Sequence, residues 1–246
     1  PTDAGVRNNP YFILLQPSLQ THCQELVAAF NKKHKNKTPI LLYRTNVSVD
    51  SNAYGYLDIK DDDAKKVRCN TMPSKAKLQP LLDSTKVNLL IVSILDNDVA
   101  EKLLYQLNEW FPQYDFEVYG MPSWKSMNSL RKPDAYPHVV VYITSPFYFD
   151  LSTGSGQAVA YGYKKDVGSN KPVEMVFRGY ETLYWYGYLL KKYGNIFNEK
   201  LKDNTAAPFT RFNIKPNKDK DDNIDYHENM HLYLYRYQSS SYIIEQ

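Results

Sequence analysis

The string in this chain whose spacing most resembles a catalytic metal site is His227-Glu228-Asn229-Met230-His231. On a helix, HExxH sets two imidazoles one turn apart on one face, where they hold zinc while the glutamate acts as base. The residues that follow, Leu232 to Tyr237, alternate with period two, which is the mark of a strand. On a strand, positions i and i+4 stand about 13 Å apart, too far to share one zinc ion. The longer protease continuation fails as well: Leu234 and Tyr237 stand where a glycine and a third histidine belong, and Glu245 is the one carboxylate left downstream. A second string, Asn217, Asp219, Asp221, Asn223, Asp225 and Glu228, has the oxygen spacing of a calcium loop. Asp222 occupies the position where that loop turns on glycine, and no helices flank it, so Lys215 to Asp225 reads as a charged, solvated loop. Asp61, Asp62 and Asp63, beside Lys60, Lys65 and Lys66, read as an exposed charge run. There is no glycine-rich phosphate loop, GxSxG elbow or Cys/His nucleophile pair. No catalytic residue, metal ligand or cofactor is assigned on these grounds.

The elements that would position a site must therefore be found from pattern. The chain has 246 residues, room for one large domain or two small ones, and 43% hydrophobic with 23% charged residues is ordinary for a packed core. The formal net charge of +3 is mild, and the clusters Lys32, Lys33, Lys35 and Lys215, Lys218, Lys220 are short and lack repeated aromatic partners, which argues against a nucleic-acid partner. The 22 tyrosines supply amphipathic side chains suited to half-buried strands and cleft walls. Cys23 and Cys69 make no framework, though a single disulfide between them stays open. No apolar run approaches the ~20 residues of a membrane span. The opening Pro1-Thr2-Asp3, without a start Met or signal peptide, reads as a processed or trimmed piece.

Helical spacing of Leu19, Cys23, Leu26, Val27 and Phe30 after Pro17-Ser18 predicts a helix over 18–34, followed by a strand over 40–44. The alternation continues with strand 67–71, helix 75–83, strand 88–94, helix 98–110 and strands 116–119 and 139–143. A helical stretch to Asp166 and an aromatic helix over about 179–193 follow, then strands 209–214 and 231–237. This predicts an α/β chain with a mostly parallel, doubly wound sheet. Ligands of such sheets collect at the carboxyl ends of the strands. Here those ends are Thr45-Asn46, Asp96-Asn97, Met121 to Trp124 and Ser145 to Tyr148. Their hydroxyls, carboxamides, one carboxylate and aromatics suit binding of a small polar ligand better than bond breaking. The candidates are Asn46, Asp96, Asn97, Ser123, Trp124, Ser145, Phe147 and Tyr148.

Several strings in order resemble the type I periplasmic-binding-protein family, which includes the leucine/isoleucine/valine-binding proteins. They are Asn9-Pro10-Tyr11-Phe12 with Gln16-Pro17-Ser18, Asn52-Ala53-Tyr54-Gly55, Tyr119-Gly120-Met121-Pro122-Ser123-Trp124, Ser145-Pro146-Phe147-Tyr148 and Gly179-Tyr180-Glu181. GMPSW, SPFY, the GYETLYWYGYLLKKYG helix and the closing HLYLYRY strand are most similar to a branch that accompanies LysM peptidoglycan-binding modules. The resemblance implies a two-lobed fold: a second lobe over 13–143, a partial first lobe over 1–12 and 144–228, and a C-terminal strand within 229–246 returning to the hinge or second lobe. It also implies that the first lobe normally starts roughly a hundred residues earlier, with Pro1 to Asp3 near a ligand-holding loop. Tyr54 matches a ligand-contacting tyrosine of the family. The acid that meets an amino-acid ammonium is replaced by Pro122-Ser123-Trp124, and unless Asp96 substitutes, an unpaired buried ammonium would be costly. The implied function is non-enzymatic: a module of the periplasm or cell envelope of a bacterium that closes two lobes over a small polar ligand or peptidoglycan fragment. The alternative is a degenerate binding-protein fold acting as a protein- or peptidoglycan-associated interaction module, with docking of a protein favoured if the face of Tyr180, Tyr184 and Tyr188 proves exposed.

Overall fold

The computed structural model describes residues 5–168 and 172–245; the expected ligand-holding stretch Pro1 to Asp3 lies outside the described residues. In chain order the first elements are β1 (Ile13–Leu14), α1 (Leu19–Lys33), β2 (Ile40–Tyr43), α2 (Ser48–Leu57), β3 (Lys65–Arg68), α3 (Lys75–Leu78) and β4 (Asn88–Val92). Next come α4 (Asn97–Trp110), β5 (Phe116–Tyr119), β6 (Val139–Ser145), α5 (Gly154–Val167) and α6 (Glu174–Tyr193). The last are β7 (Ile214–Lys218), β8 (Ile224–Asn229), β9 (Tyr233–Gln238) and β10 (Ser241–Glu245). They fall into two compact units, one of residues 5–17 and 146–232, the other of 18–145 and 233–245.

The larger unit is built on a seven-stranded sheet of order β10-β9-β6-β5-β4-β2-β3. β3, β2, β4, β5 and β6 run parallel, and β9 and β10 close one edge antiparallel. The parallel strands are apolar on both faces because helices cover both: Leu41, Leu42, Leu90, Ile91, Val92, Val118 and Val141 are all buried. Helix α1 starts where expected, since Ser18 Oγ accepts the Thr21 amide at 3.3 Å, and it lays Leu19, Cys23, Leu26 and Phe30 on the core. The expected helix over 75–83 is one α turn followed by a 3-10 turn at Gln79–Leu81, because Pro80 has no amide to continue the ladder. Helix α2 was not expected; its inward face holds only Asp50, Ala53 and Leu57.

The smaller unit carries a three-stranded mixed sheet, β1-β8-β7, with β1 parallel and β7 antiparallel to β8. The doubly wound parallel sheet therefore describes the larger unit, and the smaller one differs from it. The expected strand 209–214 is coil as far as Asn213, and the expected charged loop 215–225 is largely the β7–β8 hairpin. β7 escapes recognition because it exposes Lys215 to Lys218 and contains Pro216. Its core gathers Phe147, Trp185, Leu189, Leu201, Phe212 and Ile214, with Ile13 and Leu15 packed against them. Glu181 is buried one turn before Trp185 and accepts from the Phe209 amide at 3.0 Å and the Thr210 hydroxyl at 2.7 Å. Burial raises its pKa, while these donors oppose the rise.

Candidate functional site

In the larger unit the strand order reverses between β2 and β4, and the crevice at their carboxyl ends is where an open α/β sheet receives a ligand. Here that crevice is occupied by the protein's own charges. Arg44, at the end of β2, and Asp50, in the first turn of α2, are 5% and 0% exposed. The guanidinium Nε donates to Asp50 Oδ2 at 2.5 Å, and Asp50 Oδ1 accepts the Leu95 amide at 2.9 Å. One carboxylate thus ties the β2 loop to the β4 loop across the switch point. Sequence reasoning missed the pair; the hint available was an arginine and an aspartate six residues apart around a strand end.

The candidate residues on the neighbouring loops are held in the same way. Asp96 caps α4, its Oδ1 accepting the amides of Asp98 at 3.0 Å and Val99 at 3.2 Å. Ser123 Oγ donates to the Leu95 carbonyl at 2.7 Å, and Asn97 Nδ2 donates to Ser126 Oγ at 2.8 Å. Trp124 is fully buried, its indole N–H given to the Ile94 carbonyl at 2.7 Å, so it packs under the loop and offers no wall to a ligand. Ser145 Oγ, also buried, accepts from Lys125 Nζ at 2.8 Å, and that ammonium stands 4.6 Å from the Tyr235 ring. Beside it, His22 Nδ1 and Thr144 Oγ1 lie 2.8 Å apart, and burial pushes the His22 pKa down to about 3.

Asn46 is exposed at the rim of this loop cluster. Tyr54 is stacked on Tyr43 with ring centroids 4.2 Å apart, and the Lys66 ammonium stands 5.5 Å from its ring. Asn46, Asp96, Asn97, Ser123, Trp124 and Ser145 thus belong to the carboxyl-end region of one sheet. Phe147 and Tyr148 belong to the other unit, where Phe147 is a core residue with the Arg178 guanidinium 3.9 Å over its ring and Tyr148 is half-buried.

The HExxH string spans the end of β8. His227 and Glu228 are consecutive strand residues, pointing to opposite faces, while His231 lies beyond the strand. Burial lowers the pKa of both histidines. The calcium-like string forms a hairpin turn in which the Asp219 carboxylate accepts the amides of Asp221 and Asn223, both at 2.9 Å. Asp222 takes φ 67° there, the left-handed conformation that the sequence pattern would give to glycine. Among the described residues no group of three or more His, Cys, Asp or Glu is arranged to hold a metal ion. Cys23 and Cys69 are buried free thiols.

No family model matches the chain, and no curated protein matches it by sequence. Solved structures do match. The C-domain of LpoA from Haemophilus influenzae, described as a regulator of PBP1A, superposes with a TM-score of 0.55 at 13% identity over 93% of this chain and 67% of that one. The leucine-, isoleucine-, valine-, threonine- and alanine-binding protein of Brucella ovis, in a closed conformation, gives 0.55 at 12% identity over 97% and 64%. The fold is of the type I periplasmic-binding-protein kind. A putative branched-chain amino acid ABC transporter protein from Silicibacter pomeroyi gives 0.55 at 10% identity over 94% and 65%. The chain therefore spans about two thirds of these neighbours.

Proposed function

We propose that this chain is a non-enzymatic interaction module of the bacterial envelope that engages a protein partner on a binding-protein-like fold. The observation that carries this reading is the Arg44–Asp50 pair, which fills the switch-point crevice of the larger unit and ties its two loops together. A small polar ligand entering there would have to displace a buried ion pair, and stranding one buried charge costs about 3–5 kcal/mol. A protein partner needs no such opening. It reads a rim, and the rim here is rigid, because Asp96, Asn97 and Ser123 already hold neighbouring groups. LpoA, a regulator of PBP1A, supports a protein of that kind as the partner. The resemblance to the branch that accompanies LysM modules supports the envelope setting and a place near peptidoglycan.

One observation favours the small-ligand reading: Asn97 Oδ1 is a buried acceptor without a hydrogen-bond partner. The two readings separate in a direct binding experiment, with the polypeptide immobilised and titrated with the PBP1A-type protein of its own source organism. The exposed Asn46→Arg substitution serves as the rim probe. A saturable complex weakened about tenfold by Asn46→Arg, a loss of about 1.4 kcal/mol, with unchanged melting temperature supports the interaction module. No complex, together with tight binding of one small polar compound, overturns it.

A further inference from the structure

The outermost strands of an open sheet carry N–H and C=O groups without partners, and such an edge pairs with a strand offered to it unless its side chains prevent this. Three of the four sheet edges in this protein are blunted. β1 is two residues long, β7 exposes Lys215 and Lys218 and contains Pro216, and β3 carries Lys65, Lys66 and Arg68. The fourth edge is β10, Ser241-Tyr242-Ile243-Ile244-Glu245, which has no lysine, arginine or proline. Tyr242 is 47% exposed and Ile243 52%. Among the described residues, β9 is the one strand paired with it.

The groups this edge presents follow from the hairpin. Ser239 and Ser240 take φ 47° and 65°, so the β9–β10 loop is a two-residue turn of the I′ kind, closed by the hydrogen-bonded pair Gln238 and Ser241. The pairs alternate from there. Arg236 and Ile243 exchange hydrogen bonds, while Tyr242 and Ile244, opposite Tyr237 and Tyr235, direct their N–H and C=O outward. An antiparallel copy of the same strand, related by a two-fold axis at Ile243, uses all of these groups: Tyr242 exchanges hydrogen bonds with Ile244 of the second copy, and Ile244 with its Tyr242. The side chains agree with that register. On one face each Tyr242 meets a β-branched Ile244; on the other Ile243 meets its own counterpart in a non-hydrogen-bonded pair, and Ser241 meets Glu245, so no like charges are opposed. An opening of about 200 Å³ beside Arg236, Gln238 and Ile243 leaves room for the incoming Ile243 side chain. Another protein's strand would satisfy the same backbone groups, but this match of side chains is a property of the strand with itself. We propose that β10 is a self-association edge, through which two copies of this chain join their seven-stranded sheets by an antiparallel β10–β10 pair centred on Ile243. A single strand pair buries little surface, so the dimer is weak and depends on concentration.

The test is sedimentation equilibrium of the folded 246-residue chain over a wide concentration range, alone and as the variant Ile243→Glu, with disulfide cross-linking of Ile243→Cys and Tyr242→Cys under mild oxidation. The expected result is a monomer–dimer equilibrium whose Kd rises about tenfold or more in Ile243→Glu. Two carboxylates then meet at the axis, while each still lies opposite Arg236 of its own chain, so the melting temperature is unchanged. Ile243→Cys gives a covalent dimer, because a non-hydrogen-bonded pair brings the two Cβ atoms within disulfide reach. Tyr242→Cys, opposite Ile244, gives little, and the native thiols Cys23 and Cys69 are buried. Should Ile243→Glu fail to fold, the contrast between the two cysteine positions decides by itself. A chain that stays monomeric at its highest soluble concentration, a dimer indifferent to Ile243→Glu, or equal cross-linking at 242 and 243 overturns the proposal. A monomer that loses binding to a different envelope protein on Ile243→Glu also overturns it, since the edge would then belong to that partner.

Discussion

Replacing Gly120 with alanine places a methyl group where the Trp124 indole already lies. The added Cβ would stand 2.7 Å from Cδ2 and closer still to Cε3 and Cζ3, whereas carbon contacts relax to about 3.5–4.0 Å. The ring has no free direction in which to retreat, being fully buried with its N–H held by the Ile94 carbonyl at 2.7 Å. Relief must come from the backbone between Gly120 and Trp124 or from loss of that hydrogen bond. Overpacking costs about 1–3 kcal/mol, and a buried hydrogen bond lost with it adds about 1 kcal/mol. Gly120→Ala should therefore destabilise the larger unit by about 3 kcal/mol, lowering its melting temperature by roughly 10 °C for a unit of this size. Calorimetry measures this, and near-ultraviolet circular dichroism reports the indole. Combined with Trp124→Leu, which removes the ring, the double variant should be less destabilised than the sum of the singles by about 2 kcal/mol. A melting temperature unchanged by Gly120→Ala, or strictly additive singles, would refute the wedge geometry and the account of why this loop is closed to ligands.

Asp50→Ala should cost about 3–5 kcal/mol in urea unfolding, because it leaves the Arg44 guanidinium buried and unpaired; a loss under about 1 kcal/mol would show that the pair is hydrated and the crevice open. His22 has its pKa lowered by burial to about 3, against 6.5 when unfolded. The unfolded chain then binds the extra proton, so this contribution is intact above pH 6.5 and declines as pH falls toward 3, by up to about 1.4 kcal/mol per pH unit. His22→Asn should flatten the stability profile between pH 6 and 4 by about 1 kcal/mol per unit, and parallel profiles for the two proteins would contradict the buried neutral imidazole. Cys23, whose thiol burial raises to about 12, and Cys69, also raised by burial, should resist alkylation in the native protein at pH 8 and react on unfolding; unfolded protein without free thiols would mean that they pair.

The parallel core was legible because its strands are short apolar runs between helical repeats, and Phe116 to Tyr119 has the predicted limits. Helix α2 was not, since its stripe of Val49, Ala53 and Leu57 is short, has Asp50 on the buried side and Gly55 inside it. With it went the Arg44–Asp50 pair, for charges around a strand end look solvated until the helix that carries one of them is placed. The loop residues Asp96, Ser123 and Trp124 were correctly located at strand ends, but residue type does not reveal that a carboxylate is a helix cap or that an indole passes beneath its loop. The tyrosines of α6 were read as one face. They do share one: Tyr180 and Tyr184 stack there, exposed, with Tyr188 half-buried, while Glu181 and Trp185 point inward. The period was visible, but the side facing the core depends on the coil at Phe209 and Thr210, which local pattern does not report.

The most direct measurement is a thermal-shift titration of the folded polypeptide against amino acids, short peptides and peptidoglycan fragments. A ligand of the native state present at a hundred times its Kd would add about 2.7 kcal/mol of stability. If the switch-point crevice is closed by Arg44 and Asp50 and the partner is a protein, the melting temperature stays flat across the panel. A concentration-dependent rise with one class of small compound would contradict the interaction-module reading and establish a working ligand site in this fold.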